Sequence, residues 1–167
     1  APVIVRLKVG ASLLTIFEVV SKFLARYVDL SDTKPKWNGE PIAQSPVPAR
    51  PTYNRGVVME AITNMLAHRD LGLRDQQSRI HIFDNSLEFV NARRSVGFSP
   101  VAQKAIRYGI PNRLNPQVAS VLTNPAYGLN LPFRGLPELL KQARKFSGRR
   151  AEIVSFNDEF RLRLYGA

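Results

Sequence analysis

Apolar residues recur along this chain at two different spacings, and the changes of spacing mark its elements. Over residues 12–27, Leu13, Phe17, Val20 and Leu24 fall on one helical face and Glu18, Lys22 and Arg26 on another, with Ser12 placed to cap the first turn. Over 53–68, Val57, Val58, Ala61, Ile62 and Met65 repeat the three-and-four spacing of a buried helical face. The period then drops to two. Residues 78–83 and 87–91 alternate, and Asp84-Asn85-Ser86 between them is turn chemistry, which predicts a β-hairpin with His81 on the exposed face opposite Ile80 and Ile82. Helical spacing returns at Val118, Ala119, Val121 and Leu122 behind a helix-opening Pro116. It recurs over 136–146, where Leu139, Leu140 and Ala143 face inwards. A second hairpin is expected over 152–165, with Phe160, Leu162 and Leu164 alternating against Arg161 and Arg163.

The stretches between are less regular. Residues 3–9 are β-branched and read as a short strand. Residues 29–52 carry five prolines, which rules out a long regular element, and Trp37 beside Lys34 and Lys36 suggests docking onto the body. Residues 70–77 form a polar loop, and 95–115 a loop with a short helix near 101–108. This order predicts an α/β protein, a two-layer sandwich with helices on one face of a mixed β-sheet. At 167 residues the chain has the size of one domain, taken as residues 1–167 and expected to be a fragment of a longer protein.

Composition narrows the chemistry. The chain has no cysteine, so neither a disulfide nor a thiolate metal site is available to it. No apolar run reaches the length of a membrane span, and a cytoplasmic setting without membrane contact is expected. The formal net charge is +11, and arginines outnumber lysines seventeen to seven. The guanidinium fork suits phosphate, so an acidic partner, nucleic acid or nucleotide, is expected. Lys141, Arg144, Lys145, Arg149 and Arg150 make the densest positive patch, either a solvated helix face or a nucleic-acid contact.

Glu60, Asn64 and His68 recur every fourth residue, a polar stripe beside the apolar face of the 53–68 helix. Together they are a solvated edge or a site. A carboxylate can take a proton from water, an amide oxygen can ligate a hard cation such as magnesium, and an imidazole can donate to an anion.

The run Glu60-Ala61-Ile62-Thr63-Asn64-Met65-Leu66-Ala67-His68-Arg69-Asp70 resembles the "EA-x-x-N-x-x-x-HRD" signature of the RecG-like C-terminal domain family, a divergent branch of the gyrase, Hsp90, histidine-kinase and MutL type of ATPase fold. The resemblance implies that Glu60 is the general base for ATP hydrolysis, that Asn64 holds magnesium and that His68 neighbours phosphate. It extends to the first hairpin, where Asn91-Ala92-Arg93 stands in place of the family's Asn-Pro-Gly. Asn91 thereby takes the adenine-contact position. Arg93 replaces the glycine, and either fills the pocket or turns outward with Arg94 to pair with phosphate.

Asn112-Arg113-Leu114-Asn115-Pro116 resembles the family's Arg-Asn-Pro run in the lid region. Phe133-Arg134-Gly135 stands where the family carries its Gly-Thr-Gly phosphate loop, leaving Arg134 and Gly135 as candidate phosphate contacts. The resemblance therefore implies a Mg-ATP-binding domain of a bacterial DNA-associated regulator or helicase-related protein, with further domains in its parent and a homodimer as its common state. The alternative is a degenerate, non-hydrolysing scaffold that binds nucleic acid or a protein through an arginine-rich face.

Overall fold

The structure, a computed structural model, describes residues 10, 12–35, 50–69, 73, 75–92, 116–124, 126, 131–132, 135–156 and 159–167. The strand expected over 3–9, Trp37, and the loop and helix expected over 95–115 lie outside these residues.

The first helix, α1 (Leu13–Leu24), begins where Ser12 accepts a hydrogen bond from the Thr15 N–H. Its apolar stripe sinks Phe17 and Leu24 into the core, with Leu13, Ile16 and Val20 packed at the margin. Two short strands follow that the sequence did not announce. β1 (Asp29–Ser31) pairs in parallel with β2 (Thr52–Asn54), Leu30 opposite Tyr53. Both flank the proline-rich excursion and bring its two ends together.

Asn54 ends β2 and caps α2 (Arg55–Ala67), its side chain accepting from the Val57 N–H at 3.0 Å. This helix is the centre of the molecule. Val57, Val58, Ala61, Ile62 and Met65 are buried as their spacing predicts, but so are Gly56, Glu60, Thr63, Leu66 and Ala67. A helix buried on nearly all sides has neighbours on nearly all sides, and α2 packs against α1, β4 (Ser86–Ala92), α3 (Pro116–Thr123) and α4 (Leu136–Ser147).

The larger sheet is antiparallel, ordered β3-β4-β6-β5, with β3 at Arg79–Ile82, β5 at Glu152–Phe156 and β6 at Glu159–Tyr165. Both expected hairpins are present. The first closes through a Phe83 N–H donated to the Ser86 carbonyl at 2.9 Å. Register places Ile80 opposite Phe89 and Ile82 opposite Leu87, and then Leu87 and Phe89 opposite Leu164 and Leu162. These residues form the core side of the sheet.

The parallel pair and the antiparallel sheet are joined beyond β6. Ala167 donates to the Thr52 carbonyl at 2.8 Å and accepts from the Thr52 N–H at 3.3 Å. The described protein is thus mixed α/β, with parallel and antiparallel pairing held in two sheets. No helix among the described residues is long and apolar enough to cross a membrane.

Candidate functional site

The middle of α2 meets the start of α4, and one carboxylate makes the junction. Glu60 is 4 % exposed, so the polar stripe begins inside the protein and not on a solvated edge. Its Oε1 accepts from Asn64 Nδ2 at 2.6 Å and from the Gly135 N–H at 2.7 Å. The same Asn64 nitrogen donates to the Glu60 carbonyl at 2.9 Å. These two bonds fix the amide plane and leave Asn64 Oδ1 as the acceptor that takes no donor from the described residues.

Gly135 occupies the N-cap position of α4 at φ 89°, in the left-handed region that favours glycine. It offers no side chain to cap the helix. Glu60 supplies the missing cap acceptor from across the fold, because a carboxylate at a helix N-terminus is stabilised by the oriented N–H groups there. Of the candidate set, the structure therefore brings Glu60, Asn64 and Gly135 together.

His68 and Asn91 lie near the C-terminal end of α2. His68 is the C-cap, its N–H donated to the Asn64 carbonyl at 2.9 Å, so the stripe's third member lies just past the helix end. Asn91 reaches α2 from the core side of β4 and is 5 % exposed. Its Nδ2 donates to the Met65 carbonyl at 2.8 Å, and its Oδ1 accepts from Ser78 Oγ at 2.6 Å. Met65 is in the last turn of α2, where carbonyls have no intrahelical donor; Asn91 satisfies one of them and pins the sheet to the helix. Arg93, Arg94 and Arg134 lie outside the described residues.

The basic patch is exposed. Lys141 is 3.8 Å from Glu138, one helical turn away. Arg144, Lys145, Arg149 and Arg150 make no ion pair with the described residues. The first two lie in the last turn of α4, where cations complement the helix dipole. Gly148, left-handed at φ 76°, ends that helix and turns Arg149 back so that its guanidinium lies 3.8 Å above the Tyr165 ring.

A second charged cluster was not singled out from the sequence. On the face of the sheet opposite the core, Glu88 is 3 % exposed although alternation assigns it to solvent. Arg163 holds its Oε2 through Nε at 3.2 Å and Nη2 at 2.6 Å, and Arg161 Nη1 lies 3.3 Å from Oε1. Arg161 also grips Glu159 at 2.7 and 3.0 Å, and Arg79 pairs with the same carboxylate. Glu159 is held below the ordinary carboxylate range, first by the Arg161 hydrogen bond, while the Arg161 guanidinium is held above its own by Glu159 and that of Arg163 by Glu88. The signal was the alternation Arg161-Leu162-Arg163, which puts two cations on one face of β6 and demands an acid on the neighbouring strand.

Among the described residues no three His, Cys, Asp or Glu side chains gather to hold a metal. Compared with known families, curated proteins and solved structures, the chain matches no family model, no curated protein and no solved structure.

Proposed function

We propose that this chain is a divergent nucleotide-binding domain of the RecG-like C-terminal type, with the two-layer sandwich of the histidine-kinase-like ATPase fold. The observation that carries this is the meeting of Glu60, Asn64 and Gly135. Glu60 and Gly135 are 75 positions apart, yet share a 2.7 Å hydrogen bond. The resemblance gives these residues to water activation, magnesium and the phosphate loop, three parts that must be adjacent for phosphoryl chemistry. Nothing in their sequence spacing requires that adjacency.

The residues fit a magnesium ion that arrives with a nucleotide. Such an ion keeps several waters and takes most of its other ligands from phosphate, so one or two protein oxygens suffice. Asn64 Oδ1, fixed in orientation and carrying no donor from the described residues, is the oxygen that would hold it. Bound there, magnesium would neutralise phosphate charge. Glu60 would orient a water and accept its proton, and the Gly135 N–H would bind a phosphate oxygen in place of the Glu60 carboxylate. The wider role follows the family: part of a bacterial DNA-associated or helicase-related regulator, cytoplasmic, paired with a second copy and joined to further domains.

Calorimetric titration of Mg-ATP into the purified chain tests the assignment. The expected result is saturable heat that Asn64→Ala abolishes. No heat at millimolar nucleotide would overturn it in favour of a second reading, a non-hydrolysing scaffold. That reading is favoured by one contact: the Glu60 carboxylate already holds the Gly135 N–H that phosphate would need.

A further inference from the structure

We propose that the face of the antiparallel sheet opposite the core is a stacking platform for single-stranded nucleic acid. Two aromatic rings stand on it, on either side of Ser86. Tyr165 is the β6 partner of Ser86, and Phe83 donates its N–H to the Ser86 carbonyl. Each ring carries a guanidinium: Arg149 lies 3.8 Å above Tyr165, and Arg163 lies 5.4 Å from the centre of Phe83. Phe83 is 46 % exposed, a large share for a ring this size, although Arg163 lies over it and His81 meets it edge-on at 6.2 Å.

The arginines here are set in place. Glu88 grips the edge of Arg163 through two nitrogens, and Glu159 grips the edge of Arg161 in the same way. A guanidinium held at its edge still has flat faces to stack with, Arg163 turning one toward Phe83, and such a face stacks on nucleobases as an aromatic ring does. Phosphate needs charge that is not already paired. Arg149 and Arg150, exposed at the margin of the platform, make no ion pair with the described residues and supply it. Rings and guanidinium planes require bases with open faces, which a duplex does not present, so the occupant is a single strand. This holds whether or not the Glu60 site binds nucleotide.

The test is fluorescence anisotropy with a labelled oligothymidylate of about twelve nucleotides, within the span one small platform covers. Duplex of equal length and polyglutamate serve as competitors. The expected result is preference for the single strand, and a loss of about tenfold in affinity for Phe83→Leu, which keeps apolar bulk but removes the π-face. Phe83→Tyr should restore binding. Arg149→Ala combined with Arg150→Ala should lower the salt slope by about 1.4, the counterions of two phosphates on a single strand. No binding, equal binding of duplex, displacement by polyglutamate as effective as by single strand, or unchanged affinity in Phe83→Leu would overturn the proposal.

Discussion

Glu60 and Gly135 are joined by a 2.7 Å hydrogen bond from the backbone of one helix cap to a carboxylate buried in the flank of another helix. The contact does two things. It gives α4 the N-terminal anion its own glycine cap cannot provide, and it locks α4 to the central helix at the point where Asn64 is also held.

Replacing Glu60 by alanine should therefore destabilise the chain by about 1–3 kcal/mol, because two half-buried donors lose its carboxylate as acceptor. Glu60→Gln keeps the shape and one acceptor oxygen, and should lose only about 1 kcal/mol. Urea unfolding of the three proteins at neutral pH measures both. Equal stability of Glu60→Ala and the parent would show that the carboxylate does not fasten α4.

Asn91→Ala should lower stability by about 2 kcal/mol, since the Met65 carbonyl and the Ser78 hydroxyl both lose a buried partner. Asn91→Asp should be worse, because a carboxylate would face the Met65 carbonyl with no donor to offer. Thermal unfolding gives the order; an Asn91→Asp protein as stable as the parent would contradict the bonding described.

Tyr53 is 2 % exposed, and its hydroxyl finds no hydrogen-bond partner among the described residues. Tyr53→Phe should accordingly be neutral or stabilising by about 1 kcal/mol. Burial pushes the phenol well above its ordinary value of 10.0. The folded state thus keeps its proton where the unfolded state has lost it. The resulting stability is fully present below pH 10 and falls as pH rises beyond that. Unfolding measured between pH 8 and 11 should show a decline above about pH 10 that is shallower in Tyr53→Phe.

Glu159 shows the opposite dependence. The Arg161 hydrogen bond, aided by the charge of Arg79, holds its carboxyl below 4.5. The stability this lends is present above that value and is lost as pH falls through the depressed one. The pair is solvent-exposed, so the effect is small and screened by salt. Glu159→Gln should flatten the acid limb of the stability curve at low ionic strength and leave it unchanged in concentrated salt.

Much of the fold was legible because the relevant forces act over a few residues. The period-two runs of both hairpins, the Ser12 cap and the helical spacing of α1, α2, α3 and α4 all report which side of an element is apolar, and burial follows. The strands β1 and β2 were not legible. Three residues carry no period, and their pairing of Asp29 to Ser31 with Thr52 to Asn54 is a contact across a long excursion. The burial of Glu88 was not legible for a related reason. Alternation puts it on the face opposite the core, but the guanidiniums that cover it come from β6, more than seventy positions later.

For the candidate site the division is similar. The sequence by itself determined that Glu60 and Asn64 share a helical stripe, since a 3.6-residue repeat places every fourth residue on one side, with His68 following as the cap. It also determined the excess of arginine. Only the tertiary structure decided that Glu60 is buried, that its partner is Gly135, and that Asn91 holds the end of α2. Local periodicity specifies which face a side chain takes, whereas its partner is chosen by how separate elements pack, and packing depends on the whole chain at once.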